Sequence, residues 1–180
     1  SDGPSPEMAA LSRSTHFDWR LVPYDLDATA AHATQLSAQG YLSAEQLSDV
    51  IAALESLRAD FDEGRLVPND DDEDVHGALE RELISRVGPE TGGAVRAGRS
   101  RNDQIATFVR MFLRDHTESI RQLLIELVRV LALRADEAGN NVMPVRTHFQ
   151  HAQPVLVAHH LLAHCWPLVR NIQRLDDWSV

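Results

Sequence analysis

Residues 98–138, GRSRNDQIATFVRMFLRDHTESIRQLLIELVRVLALRADEA, decide the fold of this chain. From Gln104 onward, apolar residues recur at the three- and four-residue spacing of an α-helix, namely Ile105, Phe108, Val109, Phe112, Ile120, Leu123, Leu124, Leu127, Val128 and Leu131. The pattern predicts a helix of about 35 residues, roughly 50 Å long. A helix longer than a small domain must pack against other long helices. We therefore predict an all-α fold, with residues 1–98 forming a small N-terminal helical domain and residues 99–180 beginning a central long-helix bundle.

Three shorter helices are predicted before the long one, because caps and glycines mark their ends. Their expected bounds are Asp25 or Asp27 to Gly40, Ser43 to Gly64, and Asp74 to Gly88. The second begins with a capping-box sequence, Ser-Ala-Glu-Gln. The acidic residues 69–74 precede the third, where carboxylates complement the positive end of the helix dipole.

The remainder of the chain predicts a break, a loop and a final helix. Gly139 and the two asparagines after it end the long helix, and residues 143–153 are interpreted as a loop. Pro154 suits the first turn of the final helix, while Pro167 inside it predicts a kink or a local break. No β-alternation of useful length occurs, so no strand is predicted.

Composition excludes several classes of partner and site. A net charge of −10 argues against nucleic acid, and no apolar run approaches the roughly 20 residues that span a bilayer. The single cysteine, Cys165, excludes an internal disulfide and favours a reducing cytoplasm, with a buried inert thiol. The chain lacks an initiator Met, and its last residues fall inside a helical pattern, so we expect a fragment of a longer protein.

Metal binding is also disfavoured, although the chain has nine histidines. His160 and His164 share one helix face, but Leu161 stands where a zinc-protease helix would carry Glu. The alternating aspartates of residues 70–74 lack the Gly and Glu that a calcium loop requires. The sequence therefore predicts neither a zinc nor a calcium site.

The amino end of the long helix has the chemistry of an anion site. Gly98 allows a tight turn, and it is followed by two guanidinium groups, a hydroxyl and amide side chains. Arginine is suited to carboxylates, and the free N–H groups of a helix start favour negative charge. A capped helix start with solvated arginines is the alternative interpretation.

Thr147-His148 supplies a second candidate for chemistry. Where a reaction develops negative charge on a carboxylate, fixed hydrogen-bond donors around that carboxylate stabilise the transition state. A Thr hydroxyl and the amide of Asn102 suit that role. An imidazole exchanges protons near neutral pH, so His148 suits acid–base catalysis or the orientation of a charge.

Three stretches resemble the argininosuccinate lyase family of the aspartase/fumarase superfamily. They are residues 98–104 (Gly-Arg-Ser-Arg-Asn-Asp-Gln), residues 72–76 (Asp-Glu-Asp-Val-His) and residues 143–154 (Met-Pro-Val-Arg-Thr-His-Phe-Gln-His-Ala-Gln-Pro). The resemblance implies a homotetramer built on long helices, with active sites shared between subunits. It also implies a cofactor-free, cytoplasmic enzyme of arginine biosynthesis that releases fumarate from argininosuccinate.

The resemblance also implies which residues form the site. His148 matches the catalytic imidazole, and the positions matching substrate-binding residues are Ser14, Ser100, Arg101, Asn102, Thr147 and His76. Ser14 is expected at the arginine-derived half of the substrate, and His76 close to the substrate. For Ser14 a local turn or cap, and for His76 a capped surface imidazole, remain the alternatives.

Two departures from the family pattern stand out. Val145 replaces the usual Gly two residues before Thr147, and it would strain the loop if that position needs a positive φ. The Ser-Ser-x-Met-Pro-x-Lys stretch that carries the family's proton-abstracting Ser is absent from these 180 residues, so the fragment is expected to be inactive alone. Another fumarate-releasing lyase and a catalytically silent structural relative remain the other hypotheses.

Overall fold

The computed structural model describes residues 5–179 and is predominantly helical, which confirms the predicted fold class. In chain order its elements are α1 (Pro6–Ser12), α2 (Thr15–Asp18), a 3-10 turn (Trp19–Leu21), α3 (Val22–Ala38), α4 (Ala44–Asp62), α5 (Val75–Val87), α6 (Pro89–Ala94), α7 (Arg101–Ala138), β1 (Val142–Thr147), β2 (Gln150–Leu156) and α8 (Val157–Ser179). The chain forms two compact units that divide between Phe112 and Leu113, within α7.

The predicted caps define most helix ends of the first unit. The Ser43 hydroxyl accepts from the Gln46 backbone N–H at 3.1 Å and the Gln46 side chain accepts from the Ser43 N–H at 2.9 Å, which completes the capping box of α4. Asp74 caps α5 by accepting from the Gly77 N–H at 2.6 Å. The predicted start of α3 is wrong, because the helix begins at Val22, where Pro23 suits its first turn.

The core of the first unit lies where α3, α4 and α5 pack together. Its buried side chains include Val22, Leu26, Val50, Leu57, Val75, Leu79 and Leu83. Phe108 on α7 is also completely buried, and Phe112 packs against this core. The first turns of α7 therefore belong to the first unit, so the compact units divide later along the chain than residue 98.

The turn before α5 is held by an ion pair between the buried Asp72 and the partly exposed Arg81. Asp72 accepts from the Arg81 guanidinium at 2.8 Å and from the Asn69 backbone N–H at 2.7 Å. Burial alone would raise the pKa of Asp72, but these hydrogen bonds and the charges of Arg81 and Arg13 outweigh it and hold the pKa below its ordinary value.

The second unit contains a β-hairpin that the sequence interpretation missed. β1 and β2 pair antiparallel from Val142 opposite Leu156 to Thr147 opposite Gln150, so the expected loop at residues 143–153 is wrong. Pro154 lies in β2 opposite Pro144, and the final helix begins only at Val157. Prolines are tolerated here because each strand of a two-stranded ribbon is an edge strand.

Helix α8 runs without interruption from Val157 to Ser179 although it contains Pro167, so no local break occurs. Cys165 is buried as expected, with its thiol 3.7 Å from the Leu161 carbonyl oxygen. Several large apolar side chains of α7 and α8 in this unit are exposed, among them Leu123 at 70%, Leu133 at 64% and Trp166 at 66%. Within residues 5–179, no helix is both long and apolar enough to cross a membrane.

Candidate functional site

The first unit presents the amino end of α7 to solvent. Gly98 adopts a φ of +66°, which turns the chain out of α6, and the Ser100 hydroxyl accepts from the Asn102 backbone N–H at 3.3 Å. Ser100 thus caps α7. The Asn102 side chain is exposed and makes no hydrogen bond with any described residue.

Arg101, the first residue of α7, lies between two carboxylates without hydrogen-bonding to either. Its guanidinium nitrogens are 3.9 Å from Asp74 Oδ1 and 3.7 Å from Glu80 Oε2, and its side chain is 38% exposed. At these distances the acids hold the guanidinium by charge but leave its N–H donors unsatisfied. A ligand carboxylate could therefore accept from them.

Ser14 lies beside the same acidic turn. Its hydroxyl donates to Asp18 Oδ2 at 2.6 Å, and its backbone N–H donates to the Glu73 carbonyl oxygen at 2.8 Å. The Val75 backbone N–H also donates to Asp18 Oδ2, at 3.2 Å. A series of contacts therefore connects Ser14, through Glu73 and Asp74, to Arg101. The local turn suggested for Ser14 is also present.

His76 is buried, so the alternative of a surface imidazole is wrong. Its Nδ1 lies 2.7 Å from Asp25 Oδ2, and both side chains are less than 5% exposed. An ionised carboxylate only accepts, so Nδ1 is the donor and carries a hydrogen. The imidazole also contacts the Phe108 ring, at 5.2 Å between centroids.

Two cavities flank Arg99. One of about 80 Å³ combines an apolar floor with the polar side chains of Asp25, His76, Glu80, Arg96, Arg99, Arg101 and Gln104. The other, of about 230 Å³, is lined by His32, Ser100, Asp103, Thr107 and Phe108, among others. His32 Nε2 is 3.1 Å from the Ala97 carbonyl oxygen, so this imidazole links α3 to the segment before α7.

Arg99 is one of the two guanidinium groups noted after Gly98, but the sequence interpretation did not include it among the site residues. Its guanidinium is 14% exposed, donates to Thr29 Oγ1 at 2.9 Å and stacks 5.5 Å from the Phe108 centroid. Burial lowers the pKa of Arg99, the Asp25 charge opposes that effect, and Arg101 adds to it. A sequence signal existed on α3, where Asp25 and Thr29 share the helical spacing of the buried Ala33 and Leu36.

The second unit carries Thr147 and His148 at the tip of the hairpin. Thr147 ends β1, and His148 and Phe149 form the two-residue connection with φ of +49° and +64°. Two positive φ values are typical of a type I′ turn, and they expose both side chains. The strain expected at Val145 is wrong: Val145 lies at the irregularity between Pro144 and Arg146, and its φ is not positive.

The predicted site residues thus fall into two groups. Ser14, His76, Ser100, Arg101 and Asn102 belong to the first unit, and Thr147 and His148 belong to the second. Across residues 5–179, no three His, Cys, Asp or Glu side chains lie close enough together to form a candidate metal site.

Comparison with known proteins agrees with this fold. A family model described as "Lyase" matches residues 2–179. Argininosuccinate lyase of Clavibacter sepedonicus is 60% identical over 98% of this chain, and that of Thermobifida fusca (strain YX) is 57% identical over 99%. The chain spans only 36% and 38% of the length of these two relatives.

Solved structures of lyases have a similar fold. EDDS lyase in complex with formate matches with a TM-score of 0.73 at 25% identity, over 98% of this chain and 35% of that one. An EDDS lyase variant with bound fumarate gives 0.71 at 28% identity, over 87% of this chain and 30% of that one. With the family match extending over nearly every residue, this chain belongs to the lyase family.

Proposed function

We propose that the protein carrying this chain is an argininosuccinate lyase, which converts argininosuccinate to L-arginine and fumarate in arginine biosynthesis. The sequence Arg-Ser-Arg-Asn-Asp-Gln of residues 99–104 and the 60% identity to a relative of that name support the substrate assignment. Fumarate bound to a structural relative supports the product. Because the chain covers about a third of its relatives, the proposal concerns the whole protein.

The reaction is an elimination that needs no oxidant or reductant. A base removes a proton from the succinyl carbon next to a carboxylate, and the electron pair forms the carbon–carbon double bond of fumarate. The carbon–nitrogen bond breaks, and the nitrogen, protonated by an acid, leaves as part of arginine. Donors fixed around the carboxylate lower the barrier because charge accumulates there only during reaction.

The observation that carries the proposal is that the side-chain donors of Arg101 and Asn102 are available to a ligand. Both stand at the amino end of α7, and their side-chain donors make no hydrogen bonds within the described residues. A guanidinium and an amide beside a helix N-terminus suit a dicarboxylate. In the proposed site Arg101, Asn102 and Ser100 bind the succinyl part, Ser14 contacts the arginine part, and His76 stands behind the site.

Thr147 and His148 supply the remaining chemistry in this proposal. Thr147 donates to a substrate carboxylate, and His148 transfers a proton or orients the group that does. Two positive φ values at the hairpin tip hold the imidazole outward, where a substrate can meet it. The family's proton-abstracting Ser belongs to a stretch that these residues do not contain.

We further propose a homotetramer in the cytoplasm, with each active site shared between subunits and with no metal, cofactor, nucleic acid or membrane required. Exposed apolar side chains on α7 and α8 of the second unit support association, because apolar surface of this kind favours burial against other helices. Size-exclusion chromatography with light scattering measures the oligomeric state directly.

Incubation of the full-length protein with argininosuccinate, followed by ultraviolet absorbance of fumarate, tests the activity. Turnover of another succinyl adduct without turnover of argininosuccinate would reassign the substrate. Asn102→Ala should lower kcat/KM by about 100-fold with a small change in melting temperature, as for loss of one oxyanion donor. Asn140→Ala, an exposed asparagine after α7, is the matched control. Normal turnover with a large loss of stability would make Asn102 a structural residue and not a substrate-binding one.

A further inference from the structure

Asp25 is the centre of a buried polar cluster that joins four segments of the first unit. Its carboxylate accepts from His76 Nδ1 of α5 at 2.7 Å and from Thr29 Oγ1 of α3 at 2.8 Å. Gln104 Nε2 of α7 lies 3.5 and 3.4 Å from its two oxygens. The Arg99 guanidinium, in the connection before α7, is 4.0 Å away and reaches the cluster through Thr29.

Two members of the cluster bracket the proposed substrate-binding residues. Arg99 immediately precedes Ser100, and Gln104 follows Asn102 by two residues. Both point inward, while the side chains of Ser100 and Asn102 are exposed. Arg99 is further fixed against the buried Phe108 ring. The segment from Ser100 to Asn102 is therefore held at both ends by the Asp25 carboxylate on α3.

We infer that Asp25 is a positioning residue, which sets Ser100, Arg101 and Asn102 for substrate through Arg99 and Gln104. The inference rests on the proposed function for its catalytic consequence and on the contacts of Asp25 for its structural one. Asp25 itself is 3% exposed, so its effect passes through its neighbours. Small displacements of groups that orient a substrate lower rates by up to about a hundredfold.

Asparagine cannot replace Asp25 in this cluster. It has the same shape, but one of its two terminal atoms becomes a donor. That donor takes the place of an acceptor that now serves His76, Thr29 or Gln104, and the buried Arg99 would lose its countercharge. We expect this loss to weaken the hold of α3 on Arg99 and Gln104, so that the segment from Ser100 to Asn102 moves.

The test compares Asp25→Asn, Gln104→Met and the control Asp27→Asn in the full-length protein. Asp27 is on the same helix but is 60% exposed, and among residues 5–179 it pairs only with Arg58 at the surface. Gln104→Met removes the amide donor at nearly constant volume, and it keeps the test informative where Asp25→Asn folds poorly. We expect both cluster variants to lower kcat/KM about tenfold or more, mainly through KM, and Asp27→Asn to leave it unchanged.

A second readout is independent of activity, because trypsin cleaves after Arg99 and Arg101. The rate of cleavage at these two bonds, followed by mass spectrometry under native conditions, should rise about tenfold in Asp25→Asn and stay constant in Asp27→Asn. A protein that cleaves no argininosuccinate but shows faster proteolysis refutes the proposed function and supports the positioning role. Unchanged proteolysis and unchanged kcat/KM in both cluster variants would overturn the inference.

Discussion

Gly92 and Gly93 are neighbours in α6, and only one of them has room for a side chain. A Cβ built on Gly92 would lie 2.7 Å from Ile84 Cγ1 and 3.0 Å from Ile84 Cα on α5. A Cβ on Gly93 would meet nothing within 4 Å. Because Ile84 Cα is a backbone atom, rotation of the side chain cannot relieve the overlap in Gly92→Ala, and α6 must move away from α5.

The contact with Ile84 is the main difference between the two substitutions. Alanine in place of glycine inside a helix gains about 0.5–1 kcal/mol in either variant. Overpacking against a rigid neighbour costs about 1–3 kcal/mol and applies to Gly92→Ala alone. Gly93→Ala should therefore be stabilising, and Gly92→Ala should be less stable than Gly93→Ala by about 1–3 kcal/mol.

Urea denaturation followed by far-ultraviolet circular dichroism measures this difference. The denaturation midpoint should be highest for Gly93→Ala, intermediate for the wild type and lowest for Gly92→Ala, with similar slopes. Equal midpoints for the two alanine variants would refute the close approach of α6 to α5, and with it the wall that Gly92 contributes to the cavity beside Arg99.

Four further outcomes are expected. His148→Asn should flatten the pH dependence of turnover while His151→Asn leaves it unchanged; Asn tolerates the φ of +49°, so the turn survives and an unaltered profile would remove His148 from proton handling. The lowered pKa of Asp72 stabilises the fold above the ordinary Asp pKa, and that contribution is lost as pH falls through the lowered value; Asp72→Asn should flatten this acid limb in thermal melts between about pH 6 and pH 3. Ser43→Ala should lower the free energy of unfolding in urea by about 1 kcal/mol through loss of the capping box. Phe149→Gly should raise the melting temperature of the hairpin unit, since glycine relieves about 1 kcal/mol of strain at the φ of +64°.

The helical part of the fold was predictable because its signals are local. The Ser43 capping box, the cap at Asp74 and the positive φ of Gly64 and Gly88 act within one turn of their helices, and all are present in the structure. The long pattern from Gln104 onward predicted α7 to within three residues at its start, because an apolar stripe of that length leaves little alternative.

The hairpin was not predictable in the same way. Neither strand of the ribbon has a buried residue, so the alternation that reveals a strand is weak: β1 alternates only between exposed and half-buried residues at its start, and every residue of β2 except Val155 is exposed. Pro144 and Pro154 argued against strands, although the edges of a ribbon tolerate them.

The residues of the candidate site also differ in how far the sequence could predict them. Arg101, Asn102 and His148 were accessible to motif reasoning because they lie in short stretches of sequence that carry the family resemblance. The roles of Asp25 and Arg99 were not predicted, because they depend on contacts between segments far apart in the chain. An acidic residue at a core position of α3 is the one sequence feature that pointed to them.

At Phe149, in the tip of the hairpin, the residue that best suits the backbone differs from the residue that is present. Local backbone geometry favours glycine there, and the ring, 93% exposed, gains almost nothing from the chain that carries it. Should Phe149→Gly prove more heat-resistant but slower in turnover, the aromatic residue serves a surface met only after folding. Tolerance to heat and fitness for catalysis would then pull in opposite directions at a single position.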